Sequence, residues 1–131
     1  MPPVPAPVSG LHHVTAYAPD PQQSIDFYRD VLGLRLVKQT VLFNNPSEAF
    51  RGPTMYHFYF ADGKGTPGTV MTLKPHQSIQ KGQVGRGQAT ATAFTIPEGA
   101  VSYWQQRLQD HNIQTYPLTE RFGDTVLRLH A

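Results

Sequence analysis

The chain has no cysteine. Disulfides, thiolate catalysis and cysteine-held zinc or iron–sulfur sites are therefore excluded. Charge is scarce as well: 15% of the residues are Asp, Glu, Lys or Arg, against about a quarter in an ordinary globular domain. The formal net charge is +2 and the basic residues are scattered, so no nucleic-acid footprint is expected. No apolar run approaches the roughly 20 residues of a membrane helix. The opening MPPVPAPVSG has neither the basic nor the apolar region of a signal peptide, and the expectation is a cytoplasmic protein.

What is present is patterned. Pro2, Pro3, Pro5 and Pro7 fix φ and remove backbone donors, which predicts an extended arm over residues 1–9. LHHVTAYA alternates and is rich in β-formers, so it reads as a strand that Pro19, Asp20 and Pro21 stop. In PQQSIDFYRDVLGL, Ile25, Tyr28, Val31 and Leu32 recur at helical spacing and Gly33 stands where a C-cap belongs. LRLVKQTVLFN reads as a second strand, NNPSEAFRGP as a loop, TMYHFYFAD as a third strand and GTVMTLKP as a fourth. Residues 10–75 thus form a βαβββ module.

HQSIQKGQVGRGQ, polar and rich in glycine, predicts a linker over 76–87, after which the order begins again. Gly10–Ala16 (GLHHVTA) aligns with Gly87–Ala93 (GQATATA) at an offset of 77 residues. The same offset sets Phe27 on Trp104 and Val31 on Leu108, and the stops Pro19-Asp20 and Pro97-Glu98 follow in the same order. This is an internal repeat of one supersecondary unit. The second module, 88–131, is expected to hold a first strand in QATATAF, a helix, a strand near IQTYPLTERF and another at TVLRLHA, without a fourth strand. The expected fold is α+β, two βαβββ modules forming a curved mixed sheet. An unpaired sheet edge invites another strand, which predicts a homo-oligomer or a further C-terminal segment.

These phrases carry a resemblance. GLHHVTAYAPDPQQSIDFYRDVLGLRLV at the head of paired βαβββ modules resembles the vicinal oxygen chelate (glyoxalase/bleomycin-resistance/extradiol dioxygenase) superfamily. LHHVTA, FYRDVLGLRLVKQTV, YHFYFAD, GTPGTVMTL and GRGQATATAF are similar, in order, to the N-terminal half of ring-cleaving dioxygenases acting on hydroquinones. The resemblance implies an Fe(II) site shared between a first and a last module, with His13 as the first module's ligand and His12 and Thr15 beside the metal. The other ligands would lie beyond residue 131.

Superfamily ligands come from the first and fourth strands of each module. Here Thr72 stands where related fourth strands carry Glu, and Thr90 stands at the equivalent of His13. A non-haem iron site needs two His and one carboxylate, and a zinc site about three protein ligands, so the chain alone is expected to bind no metal and to be inactive. By strand alternation His13 shares a face with Leu11, Thr15 and Tyr17, while His12 points the other way with Val14 and Ala16. Without the resemblance, His13 would read as a strand histidine satisfied by a local hydrogen bond. His57, on the face of Met55 and Tyr59, reads equally as a residue lining a cup or as a packed strand histidine.

The remaining signals are weaker. His76 and His111 read as solvated, and His130 has no assigned role. Gly63-Lys64-Gly65-Thr66-Pro67-Gly68 fits G-x-G-x-x-G, but it joins two predicted strands and reads as a turn rather than a phosphate cradle. Asp26, Asp30, Glu98, Asp110 and Glu120 read as solvated, and Val101, Trp104 and Leu108 as the core face of a helix.

Three functions follow as expectations. The first is part of an Fe(II)-dependent ring-cleaving dioxygenase taking a small hydroquinone- or catechol-type aromatic. The second is a metal-free binding module of the bleomycin-resistance type. The third is a glyoxalase-like metalloenzyme completed across a homodimer.

Overall fold

The computed structural model describes residues 7–43, 54–77, 79–80, 82–83 and 85–130. Most of the proline-rich arm, residues 1–6, and the loop over 44–53 lie outside the described residues, as do positions 78, 81 and 84 of the linker and Ala131. The chain divides into two compact units, residues 1–81 and 82–131.

In the first unit the βαβββ order holds: β1 (His13–Ala18), a helix, β2 (Arg35–Leu42), β3 (Met55–Ala61) and β4 (Val70–Pro75). These strands make one mixed sheet in the order β1-β4-β3-β2, with β1 parallel to β4 and the other neighbours antiparallel. The central strands are buried most. Phe58 faces Leu73 and Phe60 faces Met71 across β3 and β4, and all four are at most 4% exposed. Ile25 and Tyr28 from the helix, with Ala16, Leu34 and Leu36, pack on this cluster. The Tyr28 ring stacks on Phe60 at 5.3 Å.

The helix begins as the sequence signals. Asp20 is the N-cap, its carboxylate accepting from the Gln23 N–H at 2.8 Å, and Pro21 follows in the first turn. It is not one regular helix, however. After α1 (Pro21–Ile25) the backbone widens over Asp26–Val31, and the Leu32 N–H donates to the Phe27 carbonyl, five residues back, at 2.9 Å. Such a π-type turn adds a residue to the helical circuit. Val31 stays buried under it, and Gly33 closes the end at φ 73°.

The G-x-G-x-x-G segment is a turn between β3 and β4. Asp62 Oδ1 accepts from the Lys64 and Thr66 N–H groups, both at 3.0 Å, and the Thr69 hydroxyl donates to the Thr66 carbonyl at 2.7 Å. These bonds, those from Thr66 foremost, hold the Asp62 carboxyl down to a pKa of about 2.

The second unit departs from its repeat. Helix α2 (Val101–Asp110) forms and buries Leu108. It closes on Asn112 at φ 57°, with the Ile113 N–H donating to the Leu108 carbonyl at 2.8 Å, the hydrogen-bond pattern of a Schellman cap. The strand expected in QATATAF does not form: residues 88–95 are exposed and unpaired in any sheet. β1 is held along its length by β4, and no equivalent strand runs beside 88–95 among the described residues. The strand expected in IQTYPLTERF splits into β5 (Gln114–Thr115) and β6 (Thr119–Arg121), around Pro117, which has no N–H to offer a ladder. TVLRLHA likewise divides between β7 (Asp124–Val126) and β8 (Leu129–His130). β6 and β7 form a hairpin over Phe122-Gly123, both at positive φ, 54° and 86°, as a two-residue type I′ turn requires. β5 pairs with β8. No helix among the described residues is long and apolar enough to cross a membrane.

Candidate functional site

One face of the first unit's sheet is core; the other carries the polar residues. Register places Thr15 of β1 beside Thr72 of β4, Thr72 beside Tyr59 of β3, and Tyr59 beside Lys38 of β2. The result is one row across all four strands. Thr15 and Thr72 share a hydrogen bond of 2.7 Å between their hydroxyls, and Thr72 is wholly buried. Lys38 Nζ lies 5.2 Å from the centre of the Tyr59 ring, within cation–π range.

Lys38 reaches this face through a β-bulge. Strict alternation would put Leu36 and Lys38 on the same side. The β2–β3 register shifts between them, so that Leu36 opposes Phe60 on the core face and Lys38 opposes Tyr59 on the polar face. Val37 is the extra residue, and a bulge of this kind re-aims the side chains that follow it.

His57 sits beside this row, opposite Thr40 of β2. Its ring lies 4.3 Å from that of Tyr59, and its Nδ1 is 3.1 Å from the Tyr59 hydroxyl. Its Nε2 is buried with no hydrogen-bond partner among the described residues. Burial pushes the His57 pKa below the ordinary histidine value, and the charges of Lys74, His13 and Lys38 act in the same direction.

His12 and His13 depart from the alternation expected of them. Their Nδ1 atoms lie 3.1 Å apart, with the rings nearly perpendicular at 89°. The regular strand starts at His13, and the His12 carbonyl accepts from the Gly68 N–H at 2.8 Å, so His12 is outside the pleat that would turn it away. An Nδ1···Nδ1 hydrogen bond holds one proton. If His13 donates it, the lone pair of its Nε2 is left exposed to solvent, and His12 fixes the tautomer of its neighbour.

The donors do not add up to a metal centre. Among the described residues no three His, Cys, Asp or Glu side chains come together. Strands β1 to β4 contain no Asp or Glu at all, and the Thr72 hydroxyl is committed to Thr15. The residues present do not fit a site of two His and one carboxylate.

The other expected residues lie outside strands β1 to β4. Thr90 stands in the exposed stretch of the second unit, where His111 and His130 are exposed as well. His76 is half-buried rather than solvated, and its N–H donates to the Ala18 carbonyl at 2.9 Å, prolonging the β1–β4 ladder. The sequence reading missed Lys38 and Tyr59. Tyr59 was recoverable as the i+2 neighbour of His57; Lys38 was not, because a bulge leaves no mark in the alternation.

Residues 10–127 match the Glyoxalase/Bleomycin resistance protein/Dioxygenase superfamily. The Bacillus subtilis (strain 168) protein named "Putative ring-cleaving dioxygenase MhqE" is 51% identical over 118 residues, covering 90% of this chain and 36% of that protein. The chlorohydroquinone/hydroquinone 1,2-dioxygenase of Sphingobium indicum is 34% identical over 125 residues, or 95% of this chain and 37% of the relative. The crystal structure of a Bacillus subtilis "putative dioxygenase" superposes with a TM-score of 0.79 at 41% identity, covering 92% of this chain and 36% of that one. The chain therefore spans about a third of the length of these relatives. With nearly its whole length matched, the chain belongs to the Glyoxalase/Bleomycin resistance protein/Dioxygenase superfamily.

Proposed function

We propose that the chain supplies the first two modules of a ring-cleaving dioxygenase for hydroquinone- or catechol-type aromatics, and that His13 is its one contribution to an Fe(II) site completed by residues outside it. The observation that carries this reading is the His12–His13 pair at the head of β1, where one imidazole can present a free Nε2 while its neighbour holds the tautomer. The relatives' names and the third of their length that the chain covers support it. Iron, once fully ligated, would bring the phenolic substrate and O2 together; the chain alone lacks the donors for that chemistry. Its own residues have simpler parts. His13 presents Nε2, His12 holds the His13 ring and tautomer, and the Thr15–Thr72 pair closes the sheet floor beside them.

The test is anaerobic titration of the native chain and of His13→Ala with Fe(II), followed by NMR. Weak Fe(II) binding that broadens the His12 and His13 resonances of the native chain, and that His13→Ala abolishes, is the expected result for a single contributed ligand. Fe(II) that leaves the His13 resonances unchanged, or that broadens the His12 resonances equally in both proteins, overturns the proposal.

One observation favours a second reading. Thr72 is buried and bonded to Thr15 where related fourth strands would carry a ligand, which suits a metal-free cup for small aromatics. Hydroquinone binding that is unchanged by His13→Ala and by iron would select it.

A further inference from the structure

The bulge at Val37 places a lysine where a regular strand would have placed none. Lys38 stands at the β2 end of the row Thr15–Thr72–Tyr59–Lys38. With strands about 4.8 Å apart the row spans about 14 Å, so Lys38 is at the pole opposite the histidine strand. The strands of the sheet carry Arg35, Lys38 and Lys74 and no Asp or Glu. Lys38 is exposed and rests over the Tyr59 ring rather than against a carboxylate. Beside it, His57 keeps a buried Nε2 with no hydrogen-bond partner among the described residues, an uncommon condition for a polar atom in a folded protein. An aromatic surface and an ammonium at its edge lie on a face whose strands carry no acidic side chain. Together they describe a receptor for a ring bearing a negative charge.

We propose that this face selects a small aromatic carrying a carboxylate, with the ring over Tyr59 and the carboxylate on Lys38. The inference rests on the reading above that a small aromatic is the ligand, and it adds the charge of a ring substituent and the residue that reads it. Tyr59 provides the stacking surface. Lys38, already held above that ring, swings onto the carboxylate when the ring displaces it, and the Tyr59-bonded His57 lies next to the new anion. Lys38 is a specificity residue here, since it touches ligand without taking part in any bond made or broken.

The experiment is isothermal titration calorimetry of the full chain with 2,5-dihydroxybenzoate and with hydroquinone, which differ by the carboxylate alone. Lys38→Met, Lys38→Arg and, on the β3–β4 turn, Lys64→Met are measured beside the native chain, with circular dichroism confirming that each folds. The native chain and the Lys64→Met control are expected to bind the acid at least ~10-fold more tightly than hydroquinone, about 1.4 kcal/mol. Lys38→Met is expected to abolish that preference while keeping hydroquinone affinity, and Lys38→Arg to retain most of it. Equal affinity for the two ligands in the native chain, or a preference that survives Lys38→Met, overturns the inference and leaves the proposed function standing. Binding of neither ligand also overturns it, while His13-dependent Fe(II) binding decides the proposed function separately.

Discussion

The two units start from the same sequence pattern and reach different structures. At the helix positions the repeat is kept: Val31 and Leu108, aligned at the repeat offset, are both buried. At the first-strand positions it is lost, because His13–Ala18 is a strand and the aligned stretch is exposed chain. A helix closes its own backbone bonds four residues away, whereas a strand has none until another strand supplies them. β1 is therefore as much a product of β4, which pairs with it from His13↔Val70 to Ala18↔Pro75, as of its own residues. Alternation in sequence states which face a residue would take; pairing decides whether there is a face.

The comparison can be broken most forcefully at the core of the complete sheet. Phe60 is wholly buried between Tyr28 and Phe58, and Phe60→Ala is expected to destabilise the first unit by about 3–5 kcal/mol. Urea unfolding followed through the tyrosine signals of β3 would measure this. Native-state hydrogen exchange supplies the matching contrast: amides of β1 should be protected, and those of 89–95 should exchange close to the rate of an unstructured peptide. Strong protection at 89–95 would mean that the stretch finds a partner strand in solution, and the contrast between the units would fall.

A smaller effect belongs to the turn that brings β4 back to β3. The Asp62 carboxyl has a folded-state pKa of about 2, below the ~3.9 of an unfolded Asp. Its contribution is therefore present above about pH 4 and is lost as pH falls through about 2. Acid unfolding of the native chain should carry this step, and Asp62→Asn should be flatter over the same window. An unchanged profile in the variant would show that the turn does not depend on the carboxylate charge.

Much of this was legible beforehand. Alternation located β1 to β4, and punctuation marked the ends of three of them: β1 runs into Pro19, β3 into the turn residue Asp62, and β4 ends at Pro75. The helix stop at Gly33 was legible because a left-handed C-cap favours glycine. Three features were not. The bulge at Val37 changes which face Lys38 takes without changing the composition of the strand. The His12–His13 contact depends on where β1 begins, two residues later than alternation suggested, with the His12 carbonyl taken by the Gly68 N–H. The pairing of Thr15 with Thr72 follows from a parallel register across 57 positions, which no local pattern encodes. The candidate site was thus half read: its histidines came from sequence and resemblance, and its Lys38–Tyr59 end came from geometry.

The smallest expected effect tests the one feature the units share with different residues. Each helix ends in a left-handed residue, Gly33 at φ 73° in the first unit and Asn112 at φ 57° in the second. Glycine takes this conformation without a Cβ clash, whereas asparagine takes it against a modest penalty. Asn112→Gly is therefore expected to stabilise the chain, but by no more than about 0.5 kcal/mol, because glycine also gains freedom in the unfolded chain. Gly33→Ala should act in the opposite direction by about 1 kcal/mol or more, although a Cβ at Gly33 would meet no atom within 4 Å. That separation isolates the backbone: with open space around the site, any loss of stability comes from φ and not from crowding. If thermal unfolding shows Gly33→Ala to be neutral, the left-handed cap is not what ends the first helix. The wide turn over Asp26–Val31, with its Leu32-to-Phe27 bond, would then be the feature that sets its end.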